Sequence, residues 1–299
     1  MSRDALAGRV VLVTGAARGI GAALARRLAR HGARLALVGL EGDRLAALAA
    51  ELGAGHAWAE ADVTRDDALV RAVERMVATL GRLDVVVANA GIASHGTVAT
   101  TPMAAHRRVV DVNLTGVIGT VHATLAHLKA ARGHYLLLSS AAAFAPMPGL
   151  ATYAATKAAV EQFGNALRME LAPDGVTVGT AHPIWIDTEM VRGPRTDLPS
   201  FEAALGRLPP PFGTVVPLDA CAAALERAVL RRARRVFVPS SLAPFAMVRA
   251  LLASRFAERL MLARTRDTLA AMEREVRVLG RSFAAHTVGI ALPGDEPPR

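Results

Sequence analysis

The stretch Arg9-Val-Val-Leu-Val-Thr-Gly-Ala-Ala-Arg-Gly-Ile-Gly21 decides the fold of this chain, because it places a short apolar run directly before three closely spaced glycines. The apolar run predicts a buried strand, and the helical pattern after the glycines continues to Arg30. Glycines at such a strand–turn–helix junction let backbone N–H groups approach a pyrophosphate at the helix N-terminus. The stretch therefore predicts the first βα unit of a dinucleotide-binding sheet; the alternative interpretation is a glycine-rich turn without a ligand.

Strand-like and helix-like segments continue to alternate as far as about residue 181. Strands are predicted at 34–38, 56–61, 84–88, 134–139 and 176–181, and helices at 43–52, from 62 to 80, at 102–130 and at 152–171. Such alternation is typical of a parallel sheet covered on both faces by helices. We therefore predict an α/β fold with a doubly wound parallel sheet of about seven strands, the last of them at 236–239.

Tyr153 and Lys157 stand four residues apart in a predicted helix and so lie on one helix face. An ammonium near a phenol favours the phenolate, so this pair predicts a pKa of Tyr153 below the ordinary value of about 10. Ser140 follows an apolar strand, where a hydroxyl faces the crevice at the carboxyl ends of parallel strands. Together they predict a carbonyl/alcohol redox site: Tyr153 transfers the proton, Ser140 holds the carbonyl oxygen and Lys157 lowers the pKa of the phenol. An exposed helix with an ordinary Tyr and Lys gives the same spacing.

The order of these motifs resembles the short-chain dehydrogenase/reductase family of the Tyr-x-x-x-Lys type, over about residues 8–190. The matching motifs are Thr14-Gly15-x-x-x-Gly19-x-Gly21, Asp62-Val63, Asn89-Ala90-Gly91, Asn113, Ser140, Tyr153/Lys157 and Thr188. The resemblance implies a Rossmann-type fold, an NAD(P)-dependent oxidoreductase, and a catalytic set of Asn113, Ser140, Tyr153 and Lys157. The cofactor-binding residues that it implies are Gly15, Arg18, Gly19, Ile20, Gly21, Asp62, Val63, Asn89, Ala90, Gly91, Tyr153, Lys157, Pro183 and Thr188.

The resemblance also implies separate roles. Asp62 would bind the adenine amino group, the segment 89–91 would line the adenosine ribose, and Thr188 would touch the nicotinamide carboxamide. Asn113 would interrupt its helix and hold a water that links Lys157 to solvent, while Lys157 would also bind the nicotinamide ribose. The alternatives are a strand-end Asp62, a turn at residue 89 and a solvent-facing Asn113.

Two departures from the family pattern concern the pocket and the choice of cofactor. Ile184 stands where the family usually has Gly, which should reshape the pocket beside the nicotinamide or substrate. Gly39 removes a carboxylate that would repel a 2′-phosphate, while Arg18 and Arg44 offer guanidinium groups to it. Glu41 opposes this interpretation, because its carboxylate suits ribose hydroxyls. We expect NADP(H) to be modestly favoured over NAD(H).

Composition narrows the classes of partner. The net charge of +9 is carried almost wholly by Arg, without a basic-aromatic recognition motif, so we expect no nucleic-acid partner. The nine His residues show no ligand spacing, and we expect no metal. Cys221 is the only cysteine, which excludes an intramolecular disulfide and suits a reducing compartment. With no signal-peptide pattern at the start, we expect a cytoplasmic protein.

The second half of the chain predicts a lid and a helical extension. Residues 1–240 are expected to form the catalytic domain, with a lid at about 184–217; residues 241–291 an amphipathic helical extension of the same domain; and residues 292–299 a disordered tail. Hydrophobic side chains predict an apolar pocket under the lid: Phe144, Met147, Trp185, Met190, Leu198, Phe201, Leu205, Leu208 and Phe212.

These features predict an enzyme that interconverts a hydrophobic ketone or aldehyde and its alcohol by hydride transfer, as a homo-oligomer (dimer or tetramer). One alternative is a catalytically weak or inactive NAD(P)-binding regulator or scaffold. The other is a lipid-metabolising reductase at a membrane surface, since the arginine-rich extension at 245–279 could contact anionic lipid; packing on the same or a neighbouring subunit is the preferred role of that extension.

Overall fold

The apolar run at the start of the chain forms an inner strand of the sheet. The computed structural model describes residues 5–144, 146–252, 254–285 and 287. Within it, β1 (Val10–Thr14) is buried along its whole length and pairs in parallel with β2 (Arg34–Gly39) and β4 (Val85–Ala88). Strands covered on both faces are apolar at every position, which is why this run lacks the alternation of a half-exposed strand.

Seven parallel strands form the main sheet, which confirms the predicted α/β class. In chain order the strands are β1, β2, β3 (Ala57–Glu60), β4, β5 (His134–Leu138), β6 (Thr177–Pro183), β7 (Trp185–Ile186), β8 (Val215–Val216) and β9 (Arg235–Val238). The main sheet has the order β3-β2-β1-β4-β5-β6-β9, while β7 and β8 make a separate two-stranded sheet that the sequence analysis did not predict. The chain runs outward from β1 on both sides, so a crevice opens where the order reverses.

Helices cover both faces of this sheet. They are α1 (Gly19–Ala29), α2 (Gly42–Leu52), α3 (Asp66–Leu80), α4 (Met103–Val110), α5 (Gly116–Ala131), α6 (Ala151–Leu171), α7 (Glu189–Asp197), α8 (Pro199–Gly206), α9 (Leu218–Leu230), α10 (Ala243–Met247), α11 (Arg249–Leu252) and α12 (Arg255–Leu279). Alternate residues of β1 point to opposite faces of the sheet. Val11 and Val13 belong to the buried cluster on one face, and Val10 and Leu12 to the cluster on the other.

A π-helical turn, Asp111–Thr115, joins α4 to α5 inside what the sequence predicted as one helix at 102–130. By length and composition, Met103–Ala131 could cross a membrane. However, Val117 and Val121 are buried in the core beside the sheet. This segment is therefore a core helix of the fold.

The C-terminal extension folds back over the molecule. Met272 and Val276 on α12 are buried in a cluster that also contains Leu198 and Phe201 of the lid. The side chain of Glu275 accepts hydrogen bonds from the backbone N–H of Ser200, at 3.1 Å, and from its hydroxyl, at 2.5 Å. The end of the amphipathic pattern predicted at 245–279 thus packs on its own chain through Met272 and Val276, whereas Val248 and Leu251 are exposed. The tail predicted at 292–299 lies outside the described residues.

Candidate active site

A cavity of about 230 Å³ lies at the carboxyl ends of the strands, against the N-terminus of α1. Thirteen of the fourteen residues predicted to bind the cofactor line it: Gly15, Arg18, Gly19, Ile20, Asp62, Val63, Asn89, Ala90, Gly91, Tyr153, Lys157, Pro183 and Thr188. The fourteenth, Gly21, lies beneath the glycine turn. The fold therefore brings together residues that are up to 173 positions apart in the sequence.

The glycine turn is built for close backbone approach. A Cβ on Gly21 would lie 2.3 Å from the Gly15 carbonyl oxygen, so only glycine fits where α1 leaves the strand. Gly15 itself has φ +63°, in the left-handed region. No acidic residue occupies the first turn of α1. This cradle fits a pyrophosphate, because backbone N–H groups and the helix dipole favour an anion there.

Asn89 fixes the far wall of the turn. Its side-chain amide donates to the carbonyls of Thr14, at 2.9 Å, and Gly15, at 3.1 Å. Its backbone N–H donates to the Thr14 hydroxyl at 3.1 Å. These bonds tie the end of β4 to the end of β1.

Asp62 lies at one end of the cavity and is held by two partners. It accepts hydrogen bonds from the Thr64 hydroxyl at 2.8 Å and from the Arg108 guanidinium at 2.7 Å. Burial by itself would raise the pKa of Asp62, but these bonds outweigh it and hold the pKa below its ordinary value. Arg108 also lines the cavity, and the sequence analysis missed it, because it comes from α4 and belongs to no motif.

Four charged side chains meet beside the end of β2. The Nε of Arg18 donates to Glu41 at 2.6 Å, and its Nη1 donates to Glu189 at 2.5 Å. Arg44 also contacts Glu41, with a separation of 3.2 Å between Nε and a carboxylate oxygen. The guanidinium that the sequence analysis assigned to a 2′-phosphate is thus paired with two carboxylates, and the hydrogen bond that it donates to Glu41 is the main reason that its pKa is raised.

Lys157 lies on α6 and is buried against the sheet. Its ammonium donates to the Leu138 carbonyl at 2.8 Å and lies 5.6 Å from the centre of the Tyr153 ring. Burial lowers the pKa of Lys157 to about 8. The helical spacing therefore does place the amine beside the phenol.

The pKa of Tyr153 differs from the expectation. Burial raises it above the ordinary value, and the nearby Ser140 hydroxyl opposes that shift only in part. The phenol packs against two hydrophobic clusters, one containing Phe283 and the other Met272. Both of those residues belong to the C-terminal extension, whose position over the site the sequence did not predict. Burial of the phenol is what disfavours the phenolate.

Asn113 sits in the π-helical turn with its amide held on both sides. Its carbonyl oxygen accepts from the Ile92 N–H at 2.8 Å, and its amide group donates to the Ile92 carbonyl at 2.9 Å and to the Thr156 hydroxyl at 3.2 Å. The side chain is fully buried, which excludes the solvent-facing alternative. A Cβ on Gly91 would lie 3.3 Å from both the Asn113 oxygen and the Lys157 amine, so these groups flank one small space.

A second, smaller cavity of about 90 Å³ adjoins the first beneath the lid. Of the predicted pocket residues, the structure places Met147, Trp185, Met190 and Phe201 on its wall. Ile184, the departure from the family pattern, also lines it. Ser140 and Tyr153 line the cavity as well, so the proposed catalytic hydroxyls face a mostly apolar space.

Other predicted pocket residues lie elsewhere. Phe144 packs against Phe237, with ring centres 6.2 Å apart, and Leu208 is exposed. Residues that the sequence analysis missed line the smaller cavity instead, among them Ala93, His95 and Leu150. Among the described residues, no group of three His, Cys, Asp or Glu side chains could hold a metal ion.

Known proteins resemble this chain in sequence and in fold. The short chain dehydrogenase family model matches residues 9–198. A 3-alpha-(or 20-beta)-hydroxysteroid dehydrogenase of Mycobacterium tuberculosis is 35% identical over 207 residues, which cover 69% of this chain and 79% of that protein. A cis-4-hydroxycyclohexanecarboxylate dehydrogenase of Sinomonas cyclohexanicum is 36% identical over 215 residues, which cover 70% and 86%.

Among solved structures, a 3-ketoacyl-(acyl-carrier-protein) reductase from Brucella melitensis, complexed with NADH, superimposes with a TM-score of 0.70 at 28% identity. The match covers 78% of this chain and 97% of that one. The chain therefore belongs to the short-chain dehydrogenase family and is an oxidoreductase that acts on CH–OH groups with a nicotinamide cofactor.

Proposed function

We propose that this protein interconverts a compact hydrophobic ketone and its secondary alcohol, with Tyr153 as the proton-transfer group. One observation carries the proposal: Tyr153 lines both the larger cavity, which suits a dinucleotide, and the smaller apolar cavity. Lys157 faces the first and Ser140 the second. The relatives act, by their names, on a hydroxysteroid and a hydroxycyclohexanecarboxylate. The smaller cavity, at about 90 Å³, favours the more compact kind of substrate.

The residues of the chain account for the proton and for the orientation of the substrate. A bound nicotinamide cofactor supplies or accepts the hydride. The Ser140 hydroxyl now donates a long bond of 3.2 Å to the Pro183 carbonyl, and a substrate oxygen would be a better acceptor. Because burial raises the pKa of Tyr153, the phenol is protonated at neutral pH and ready to donate to an alkoxide. The Lys157 amine beside the ring reduces the cost of the phenolate left behind.

The test is turnover with and without the phenol hydroxyl. Purified protein with NADH or NADPH and a panel of compact cyclic ketones should oxidise the cofactor. Tyr153→Phe should lower kcat by about 100- to 10,000-fold, because it removes the proton donor, while leaving the dissociation constant of the cofactor within about threefold. Cofactor fluorescence and absorbance at the nicotinamide band give the two quantities.

Two outcomes would reject this reading. Equal turnover by the Phe variant would mean that another group transfers the proton. Tight cofactor binding with no turnover of any ketone or alcohol by the wild type would favour the cofactor-binding regulator instead.

The choice between NAD(H) and NADP(H) remains a prediction. The sequence analysis favours NADP(H) through Arg18, but in the structure that guanidinium is paired with Glu41 and Glu189. A 2′-phosphate would have to displace these carboxylates, whereas the ribose hydroxyls of NAD(H) could donate to Glu41 directly. Titration with both reduced cofactors measures the preference.

We further propose a homo-oligomer, a dimer or tetramer, located in the cytoplasm, as expected from the sequence. Light scattering coupled to size-exclusion chromatography measures the oligomeric state. A monomer at micromolar concentration that turns over at full rate would reject it.

A further inference from the structure

His95 is a buried histidine on the wall of the smaller cavity. It follows β4 by seven residues, lies outside every motif of the sequence analysis, and is 5% exposed. Its imidazole shares the cavity with the proposed catalytic hydroxyls of Ser140 and Tyr153. A polar ring in a mostly apolar pocket is the kind of group that fixes the orientation of a ligand.

The surrounding structure holds this ring but leaves one of its nitrogens unused. The His95 backbone N–H donates to the Ser282 carbonyl at 2.7 Å, which anchors the loop to the C-terminal extension. The ring meets the Phe201 ring edge to face, with centres 5.4 Å apart. Its Nδ1 is buried and has no hydrogen-bond partner among the described residues. Buried polar atoms are nearly always paired, so an unpaired nitrogen on a side chain that lines a cavity points to a partner that arrives with the ligand.

The ring is neutral at physiological pH. Burial lowers the pKa of His95 to about 4. A neutral imidazole carries one N–H donor and one acceptor nitrogen, so it can pair with a hydroxyl or with a carbonyl oxygen. It offers no fixed charge with which to hold an anion.

Other polar side chains on this cavity already have partners. The Trp185 indole donates to the Phe212 carbonyl at 2.8 Å, and the Thr188 hydroxyl donates to the Ile186 carbonyl at 3.2 Å. Ser140 and Tyr153 are assigned to the reacting oxygen. Among the other described side chains that line this cavity, His95 is therefore the one with a hydrogen-bonding atom that has no partner.

We propose that the substrate carries a second oxygen, a hydroxyl or a carbonyl, and that His95 hydrogen-bonds to it while Ser140 and Tyr153 act on the reacting carbonyl. This inference rests on the proposed function and narrows its substrate class to compact hydroxyketones and diketones. The smaller cavity measures about 90 Å³, less than the roughly 150 Å³ apolar cavity that holds benzene, so a six-membered ring would also occupy part of the adjoining larger cavity.

The hydrogen bond with His95 should make the enzyme discriminate strongly between ketones that carry a second oxygen and ketones that lack it. A site built to hydrogen-bond a substrate oxygen rejects the analogue that lacks it, since the buried polar atom then stays unpaired. For one neutral bond we expect a preference of about 10- to 100-fold in kcat/KM.

The experiment compares matched ketones and matched variants of the full chain. The ketones are 4-hydroxycyclohexanone, 3-hydroxycyclohexanone and 1,4-cyclohexanedione, against 4-methylcyclohexanone, 3-methylcyclohexanone and cyclohexanone. His95→Phe keeps a ring against Phe201 and removes both nitrogens; His95→Asn keeps a polar group near the position of Nδ1. Val98→Ala, in the same loop at an exposed position, is the matched control.

We expect the wild type and Val98→Ala to prefer at least one oxygenated ketone about 10- to 100-fold, His95→Phe to lose that preference mainly through KM, and His95→Asn to restore part of it. The contact can also be measured without turnover. The same ketones are added to the Tyr153→Phe protein with NADH, and the imidazole NMR signals of His95 report their binding.

Three outcomes overturn the inference, and each says what failed. Equal kcat/KM for the hydroxyl and methyl ketones in the wild type rejects His95 as a substrate contact while leaving the proposed function intact. If His95→Phe lowers kcat/KM equally for the oxygenated and the methyl ketones and also lowers the unfolding temperature, the role of His95 is structural. No binding and no turnover of any ketone rejects the inference and the proposed function together.

Discussion

At the residue scale, Gly91 determines how closely the Asn113 amide and the Lys157 amine approach one another. A Cβ at this position would lie 3.3 Å from each of the two polar atoms. That separation is tight for a carbon beside an amine, so one of them must move by a few tenths of an ångström. Because Lys157 is buried and bonded to the Leu138 carbonyl, its displacement carries over to the Tyr153 ring.

Gly91→Ala should therefore impair catalysis more than stability. We expect kcat to fall by about 10- to 100-fold, since small misplacements of catalytic groups are costly, and the unfolding free energy to fall by about 1 kcal/mol or less. Steady-state kinetics and urea unfolding measure the two effects. Gly206→Ala is the control, because nothing lies within 4 Å of a Cβ there. Unchanged kcat in Gly91→Ala would show that this space does not matter for catalysis.

Glu41 makes a second prediction at this scale. Its carboxylate pairs with Arg18 beside the end of β2, where a 2′-phosphate would add negative charge. Glu41→Gln should raise the affinity for NADPH relative to NADH by about 3- to 30-fold, because a repulsion is removed and a guanidinium is released. Fluorescence titration with both cofactors gives the ratio. An unchanged ratio would place the adenosine ribose away from this carboxylate.

At the element scale, α12 closes the lid over the smaller cavity. Its Glu275 side chain holds Ser200 at the start of α8, and Thr97 donates to Glu273 at 2.7 Å. These bonds join the lid, the loop after β4 and the extension into one wall. The wall also covers Tyr153, so the extension affects the chemistry as well as the shape of the pocket.

Glu275→Ala should loosen that wall. Removing the carboxylate leaves the Ser200 N–H unpaired, and we expect KM for ketones to rise about 5- to 20-fold with a smaller change in kcat. Kinetics and hydrogen exchange of the lid amides measure the effect. Arg274→Ala, exposed on the same helix, is the control. If both variants behave alike, this contact between α12 and α8 does not control access.

The element scale also separates what was foreseeable from what was not. The glycine turn after β1 and the Tyr153–Lys157 pair were predicted from local sequence, because apolar runs and helical spacing are properties of short segments. The pairing of β7 with β8 was missed, since it depends on contact between distant segments. The interruption of the helix at Asn113 was implied only by the family resemblance, and the structure has a π-helical turn there, at 111–115.

At the scale of the whole molecule, a buried histidine makes stability depend on pH. His134 begins β5, is fully buried, and bonds through Nδ1 to the Thr177 hydroxyl at 2.9 Å. Burial, with a smaller contribution from Arg232, lowers its pKa to about 3. Between pH 6.5 and 3 the unfolded chain binds a proton that the folded chain does not, so the stabilising contribution is complete above pH 6.5 and is lost as the pH falls.

The free energy of unfolding should therefore drop by about 2 kcal/mol between pH 7 and pH 5 through this residue alone. The difference between the two pH values should be smaller by about that amount in His134→Gln, whatever the absolute stability of the variant. Urea unfolding at both pH values measures it, with His122→Gln at an exposed position as the control. The same pH difference in wild type and His134→Gln would contradict the assignment.

The sequence by itself determined the sheet, the glycine turn and the placement of Tyr153 and Lys157 on one helix face, because these depend on apolar runs, backbone freedom and helical spacing within short segments. Only the tertiary structure decided the properties that several distant segments share. Phe283 and Met272 of the extension belong to the clusters against which Tyr153 packs, and burial raises the pKa of this phenol instead of lowering it. Likewise, the pairing of Arg18 with two carboxylates and the unpaired nitrogen of His95 exist only because the fold brings together side chains that are far apart in the sequence.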